Sequence, residues 1–261
     1  MVKVREIYDY IDGFAPFTTQ MDFDNAGLLV GSMEAQTDRV LLALDVTAAV
    51  VREARRKKCR LVVTHHPLIF HPLRSVNPDH PTEAVVAGLV EGKIALISAH
   101  TNLDLAPGGV NDVLMDRLGA KTTGVLEPMA DGLGLGRVGE LPQAMEPRAF
   151  AAMVKKALGT RAVRAVAGNR PVKKVAVCSG SGGDMVTLAA KAGADAYVTA
   201  DVKHHEFLEA AALGITLLDA GHYATENPVV PALCKRLQEA FASREVEFLL
   251  STANKEPYFA P

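Results

Sequence analysis

The chain has 261 residues, 49% of them hydrophobic and 22% charged, with a formal net charge of −2. That is enough apolar chain to bury a core in one large or two small domains, and the balance of charge excludes a global basic field that would recruit nucleic acid. With no tryptophan and 5% aromatic residues the composition argues against base-stacking platforms, and no apolar run reaches the length of a membrane span.

Val4 to Ile11 has helical spacing (Val4, Ile7, Tyr8, Ile11) and runs out at Gly13. A loop follows, with Pro16, Thr18, Thr19 and Gln20, and then Asp22–Gly27 leads into Leu28–Gly31. Val40–Leu44 reads as a buried strand that ends at Asp45. Thr47 is a plausible N-cap for a helix to about Lys57, and its basic end (Arg55, Arg56, Lys57, Lys58) suits a helix C-terminus. Leu61–Val63 is a strand, Thr82–Glu91 a helix, Ile94–Ser98 a strand, and Val110–Leu118 a helix closed by Gly119. Residues 119 to 142 are rich in glycine and proline and predict turns and short strands, including Val138–Leu141. Then come a helix over Glu146–Leu158, a strand over Val172–Cys178, and a helix opened by Gly180–Asp184 and running to Ala192. Ala196–Thr199 is a strand, Lys203–Ala212 a helix, Ile215–Leu218 a strand, Asn227–Ser243 a helix and Val246–Leu250 a last strand.

Strands alternating with helices of this length predict an α/β protein with mixed, mainly parallel sheets flanked by helices. There is also an internal echo. One half reads strand, Thr64-His65-His66, helix, strand, Ala99-His100-Thr101; the other reads strand, Thr199 to His205, helix, strand, Ala220-Gly221-His222. Two similar α/β lobes are expected, residues 1–125 and 126–261, packed closely around a cleft. The cysteines, Cys59, Cys178 and Cys234, form no CxxC and read as buried free thiols of a reducing compartment. The run Met1–Glu6 lacks the pattern of a signal peptide, so the expected location is the cytoplasm.

Seven of the eight histidines fall in four short stretches: His65/His66/His71, His100–Asp104, His204/His205 and His222–Glu226. Each follows a predicted strand, and parallel strands bring their carboxyl ends to one rim, where α/β proteins keep their chemistry. Neutral imidazole is the commonest metal ligand. Adjacent residues on a strand face opposite ways. His65 and His66 can therefore serve one site only if the strand ends before them, and Pro67 favours that. Asp104 reads equally as an acid of the site or as a loop or N-cap residue. His222 and Glu226 share a face if their segment is helical; Pro228 also allows them to lie on a turn before a helix starting at 227. Glu226 alone reads as an acid favoured at a helix N-terminus. His80 has no assigned role.

Several motifs occur in order: Asp24-Asn25-Ala26-Gly27-Leu28-Leu29-Val30-Gly31; Thr64-His65-His66-Pro67 with Phe70-His71; Ser98 to Asp104 with Gly108-Gly109-Val110-Asn111-Asp112; Thr199 to His205; and Gly221-His222-Tyr223-Ala224-Thr225-Glu226. Together they cover nearly the whole chain and resemble the NIF-three-like family, also called the GTP cyclohydrolase I type 2 family of dinuclear-metal proteins. One departure is Ala200, where the family usually has glycine. No inserted central domain fits between Gly124 and Pro171.

The resemblance implies two divalent metal ions per subunit, held by His65, His66, Asp104, His222 and Glu226, and the mixed N/O ligation of that set suits zinc, iron, manganese or nickel. It also implies a homohexamer built as a trimer of dimers. His100 is open to three readings: a group that supports the ligands, a general base, or a packed structural histidine. His71, Asp201, His204 and His205 are near-site residues of lower rank. The Ser179–Asp184 loop lacks GxGxxG and GxxxxGK[ST]; it reads as a tight packing turn, with phosphate contact as the other option. The expected function is a metal-dependent hydrolase of a nucleotide or similar small molecule, in the manner of GTP ring opening. The competing expectation is a non-enzymatic hexamer for metal storage, delivery or adaptor work. Nucleic acid is disfavoured as a partner, and no membrane partner is expected.

Overall fold

The computed structural model describes residues 1–129 and 132–258. In chain order the first elements are β1 (Val2–Lys3), α1 (Val4–Phe14), β2 (Gly27–Val30), β3 (Gln36–Thr37), β4 (Arg39–Ala43), α2 (Ala48–Arg56), β5 (Leu61–Thr64), α3 (Pro81–Glu91), β6 (Ala95–Ser98), α4 (Thr101–Leu105) and α5 (Val110–Arg117). There follow β7 (Lys121–Pro128), β8 (Gly134–Met145), α6 (Pro147–Leu158), β9 (Arg164–Val166), β10 (Val172–Ser181), α7 (Val186–Lys191), β11 (Ala196–Ala200), α8 (His204–Leu213), β12 (Thr216–Asp219), α9 (His222–Glu226), α10 (Val229–Ala240) and β13 (Glu247–Leu250). Among the described residues no helix is long and apolar enough to cross a membrane.

The chain divides into two compact units: Met1–Leu103 with Val230–Lys255, and Asp104–Val229 with the chain from Glu256. This partition differs from the 1–125 and 126–261 division read from sequence. For residues 230–255 the reason is long-range pairing: β13 lies parallel to β4, from Glu247 opposite Arg39 to Leu250 opposite Leu42. Residues 247–250 thereby join the first sheet.

The sheet of the first unit has the order β13-β4-β5-β6-β2, with only β2 antiparallel to its neighbour. Its strands β4, β5 and β6 are almost wholly buried, which is why they read as continuous apolar runs. Leu41, Val62 and Leu96 pack with Val50, Val51 and Ala54 of α2 and Val85, Val86 and Leu89 of α3. The Thr47 hydroxyl caps α2 by accepting from the Val50 amide at 3.3 Å.

The sheet of the second unit has the order β7-β8-β10-β11-β12-β9. Its centre, β10-β11-β12, is parallel, and β7, β8 and β9 run antiparallel to their neighbours. Alternation along β10 builds two cores: Val175 and Val177 face Phe150 and Val154 of α6, while Ala176 and Cys178 face Val186 and Tyr197. The internal echo is topological. In each unit an early strand (β2 or β9) pairs antiparallel with the last of three sequential parallel strands (β4-β5-β6 or β10-β11-β12).

Two local expectations change. Among the described residues of 119–142 the strands are longer than expected: Val138–Leu141 lies within β8, which forms a long antiparallel pair with β7. The glycines serve close backbone approach, since a Cβ at Gly139 would stand 2.6 Å from the Lys121 carbonyl oxygen and one at Gly134 2.5 Å from that of Glu127. The helix expected from Gly180 to Ala192 is also shorter. β10 continues through Ser181, Gly183–Met185 forms a 3-10 turn, and α7 spans only Val186–Lys191.

Candidate metal centre

In the first unit the carboxyl ends of β4, β5 and β6 deliver Asp45, then His65 and His66, then His100. β5 stops at Thr64, so the two adjacent histidines escape strand alternation. The Thr64 hydroxyl donates to the His66 carbonyl at 2.9 Å, and the His66 amide donates to the Leu44 carbonyl at 3.0 Å. These bonds turn the backbone so that both rings converge, with centroids 5.0 Å apart. The His100 ring lies 5.1 Å from His65 and 5.6 Å from His66. Each of the three offers a ring nitrogen within 4.8 Å of the others.

All three rings are oriented through Nδ1. His65 Nδ1 donates to the Ala99 carbonyl at 2.8 Å, His66 Nδ1 to Asp45 Oδ1 at 2.7 Å, and His100 Nδ1 to Asp24 Oδ1 at 2.8 Å. A carbonyl or carboxylate oxygen can only accept, so the proton is on Nδ1, and Nε2 is the atom each ring would present to a cation. This is the arrangement that metal-binding histidines require of their surroundings. Asp24 also accepts from the Thr101 amide at 3.0 Å and hydroxyl at 2.5 Å. Burial pushes the Asp24 carboxyl up, but the His100 and Thr101 donors outweigh it and hold the group down at about 2.

The second unit repeats the device. β11 ends at Ala200, directly before Asp201, and β12 leads through Gly221 into His222, the first residue of α9. His222 Nδ1 donates to Asp201 Oδ2 at 2.7 Å, and its Nε2 lies 3.0 Å from Glu226 Oε2 one helical turn on. The segment is thus helical, which settles the choice between helix and turn. Burial pushes the His222 imidazole down, but Glu226 and Asp201 outweigh it and raise it to about 9. Behind Glu226 stands Gly180, with φ +62, where a Cβ would come within 2.1 Å of Glu226 Oε1.

Asp104 lies on α4 and begins the second unit. Its backbone is secured on two sides. The buried Asn111 amide donates to the Asp104 carbonyl at 3.1 Å and accepts from the Ser179 amide at 2.8 Å. Arg137, 3% exposed, donates to the carbonyls of Leu105 at 3.3 Å and Ala106 at 2.9 Å, and it pairs with Asp112 at 3.0 Å. A buried guanidinium therefore pins the turn directly after Asp104, in the stretch where the sequence carries Gly108-Gly109-Val110-Asn111-Asp112.

A model of the Duf34/NIF3 (NGG1p interacting factor 3) family matches residues 2–257. The chain belongs to this family. It is 35% identical over 260 residues to a protein of Clostridium perfringens named GTP cyclohydrolase 1 type 2 homolog, covering 98% of this chain and 99% of that one. Among solved structures, a Bacillus cereus protein related to NIF3 matches with a TM-score of 0.93 at 25% identity, over 100% of this chain and 99% of its own. A Staphylococcus aureus hypothetical protein matches with a TM-score of 0.92 at 30% identity, over 99% of both chains.

Among the described residues, His71, His204 and His205 of this Duf34/NIF3 chain belong to no group of converging ligand atoms. His204 and His205 are exposed at the start of α8, with His205 3.9 Å from Glu206. His71 is exposed and packs edge-on against Phe70. In the Gly180–Gly183 loop a Cβ at Gly182 would stand 2.7 Å from Tyr197 Oη and one at Gly183 2.1 Å from Glu206 Oε2, so close packing accounts for these glycines. Sequence reasoning missed Asp45 and Asp24 as partners of His66 and His100. The available signal was position: Asp45 directly follows an apolar strand that pairs with the histidine strand.

Proposed function

We propose that this chain is a metal-dependent hydrolase of a nucleotide or similar small molecule, with a dinuclear centre held by His65, His66, Asp104, His222 and Glu226. The observation that carries the reading is the cluster of His65, His66 and His100, each with Nδ1 committed to a backbone or carboxylate oxygen. The donor set fits the metals. Neutral imidazoles and two carboxylates offer mixed N/O ligation and a charge of about −2, which suits zinc, iron, manganese or nickel. The cysteines are free and buried, and burial pushes the Cys178 thiol far above its usual range, so no thiolate joins the set. Divalent ions bound here would supply Lewis acidity that polarises a substrate oxygen.

The remaining work falls to side chains. His100, oriented by Asp24, can hold or pass a proton at Nε2. Phe23 is 65% exposed and Phe70 39% exposed, their rings are 6.3 Å apart, and Phe70 lies 6.2 Å from His100. Exposed aromatics beside a polar cluster suit a planar heterocycle. The name of the Clostridium perfringens relative makes GTP the first substrate to try. The homohexamer belongs to the same proposal and is checked by light scattering.

The test is metal content and a hydrolase screen on one preparation. Elemental analysis should give about two transition-metal ions per chain, falling in His65→Ala, Asp104→Ala and Glu226→Ala. Metal-loaded protein should then turn over GTP, another nucleotide, a phosphoester or an amide. Full metal content with no turnover of any class would leave metal storage, delivery or an adaptor role as the function.

A further inference from the structure

Residues 251–254 reach the imidazole cluster of the first unit through Asp45. β13 ends at Leu250, but its ladder with β4 continues: the Ser251 amide donates to the Leu42 carbonyl at 2.8 Å. Residues 251–254 then run beside Leu44 and Asp45. Asn254 Oδ1 accepts from the Leu44 amide at 2.5 Å and the Asp45 amide at 3.3 Å, and Asn254 Nδ2 donates to Asp45 Oδ2 at 3.2 Å. Asp45 holds His66 through its other oxygen at 2.7 Å. One amide side chain thus takes the place of a neighbouring strand at the end of β4 and fixes the carboxylate that orients a candidate ligand.

The segment has its own anchor. Glu53 of α2 is 1% exposed, although an ionised carboxylate is expensive to bury. It accepts from Ser251 Oγ at 2.6 Å, the Thr252 amide at 3.1 Å, Thr252 Oγ1 at 2.8 Å and the Ala253 amide at 3.1 Å, and it pairs with Lys57 at 2.8 Å. Apart from Lys57, all these donors come from residues 251–253, so the buried charge is directed at this segment.

We infer that Ser251–Asn254 is a working strap of the metal site, anchored by Glu53. Asn254 is a positioning residue that acts on His66 through Asp45. The inference rests on the metal reading above and extends it to residues almost 190 positions from His66 in sequence. Its consequence is that ligand geometry at His66 depends on the docked strap. Loss of the strap loosens the ring without touching a ligand.

The test uses the full chain and two readouts. Nitrogen NMR of the imidazoles in metal-free protein reports which ring nitrogen of His66 carries the proton. Competition with a chromophoric chelator gives zinc affinity. Wild type should show a single His66 tautomer, protonated on Nδ1. Asn254→Ala should show mixed tautomers and a zinc affinity lowered 10- to 100-fold, the range for losing a group that orients a ligand. Glu53→Gln should move both readouts the same way. Leu249→Ala, a loss of packing beside the same strand with no bond to Asp45, should lower stability but keep the tautomer and the affinity. If Asn254→Ala does not fold, Asn254→Asp replaces it, since it loses the donor to Asp45 and sets a second carboxylate beside it. Zinc-binding wild type with an unchanged tautomer and affinity in the Asn254 variant overturns the strap alone. Wild type that binds none of zinc, iron, manganese and nickel overturns the metal reading and the strap together.

Discussion

Asp201 accepts a 2.7 Å hydrogen bond from His222 Nδ1 while its own backbone sits in the left-handed region, at φ 52. The conformation turns the chain sharply off β11, and it costs a non-glycine residue roughly 1 kcal/mol. Carboxylate and backbone can therefore be separated. Asp201→Gly should relax the backbone but free the His222 ring, keeping thermal stability while metal affinity falls about 10- to 100-fold. Asp201→Ala should lose affinity and also melt at a lower temperature. Equal zinc affinity in wild type and Asp201→Gly, by chelator competition, would show that Asp201 does not orient the ligand.

Gly180 offers a second separation. It and Gly119 share the left-handed backbone, at φ +62 and +67, but a Cβ at Gly119 meets open space while one at Gly180 would meet Glu226 Oε1 at 2.1 Å. Gly119→Ala should cost only the strain, about 1 kcal/mol. Gly180→Ala should cost about 2–3 kcal/mol, because it adds a steric clash with a buried carboxylate. It should also weaken metal binding, which Gly119→Ala should not. Urea unfolding and metal titration of the pair check both parts.

The residues that could be read in advance share one property: their neighbours in sequence reveal their surroundings. Val40–Leu44, Leu61–Val63 and Ala196–Val198 are apolar throughout because both faces of a parallel strand are covered, and the polar residues that follow such runs, Asp45, His65 and Asp201 among them, stand at strand ends. Asp24 and Asp45 were not legible, because a single acid in a loop has many uses. Their partners His100 and His66 are 76 and 21 residues away and meet them only through tertiary folding. The β7–β8 pair was obscured by glycines that permit close approach of strands but look like turn residues. Pro228 suggested a helix start near 227 and so left the short helix α9 undecided. The return of β13 to β4 carries no local signal at all, and it is what makes the compact units differ from a simple division of the chain.

Glu53 gives the fold a pH dependence of definite sign. Burial pushes its carboxyl up, but donors from Lys57, Ser251 and Thr252 outweigh that and hold it well below the usual carboxylate range. A depressed folded value means the contribution is complete above the unfolded value near 4.5 and is lost as pH falls toward the folded one. Glu53→Gln should therefore destabilise by about 2 kcal/mol at pH 7, where a charged acceptor is replaced by a neutral amide. The gap to wild type should shrink below pH 4. Urea midpoints at pH 7 and pH 3 measure it, and a gap that does not change with pH would mean the carboxylate charge contributes nothing.

The aromatic pair separates substrate binding from metal binding. Phe23 precedes Asp24, which is bonded to His100, and the Asn25 side chain donates to the Ile69 carbonyl at 2.6 Å, directly before Phe70. Both rings are thus tethered to the imidazole cluster although their faces meet solvent. If they seat a heterocycle, Phe70→Ala should lower the affinity for guanosine nucleotides by roughly tenfold, near the low end of what one stacked base is worth. Metal content should stay at the wild-type level, because no candidate ligand is touched, and Phe70→Tyr should recover the affinity. Calorimetry on metal-loaded protein measures the loss. Unaltered nucleotide affinity in Phe70→Ala would mean that the ring of the substrate, if it has one, sits elsewhere.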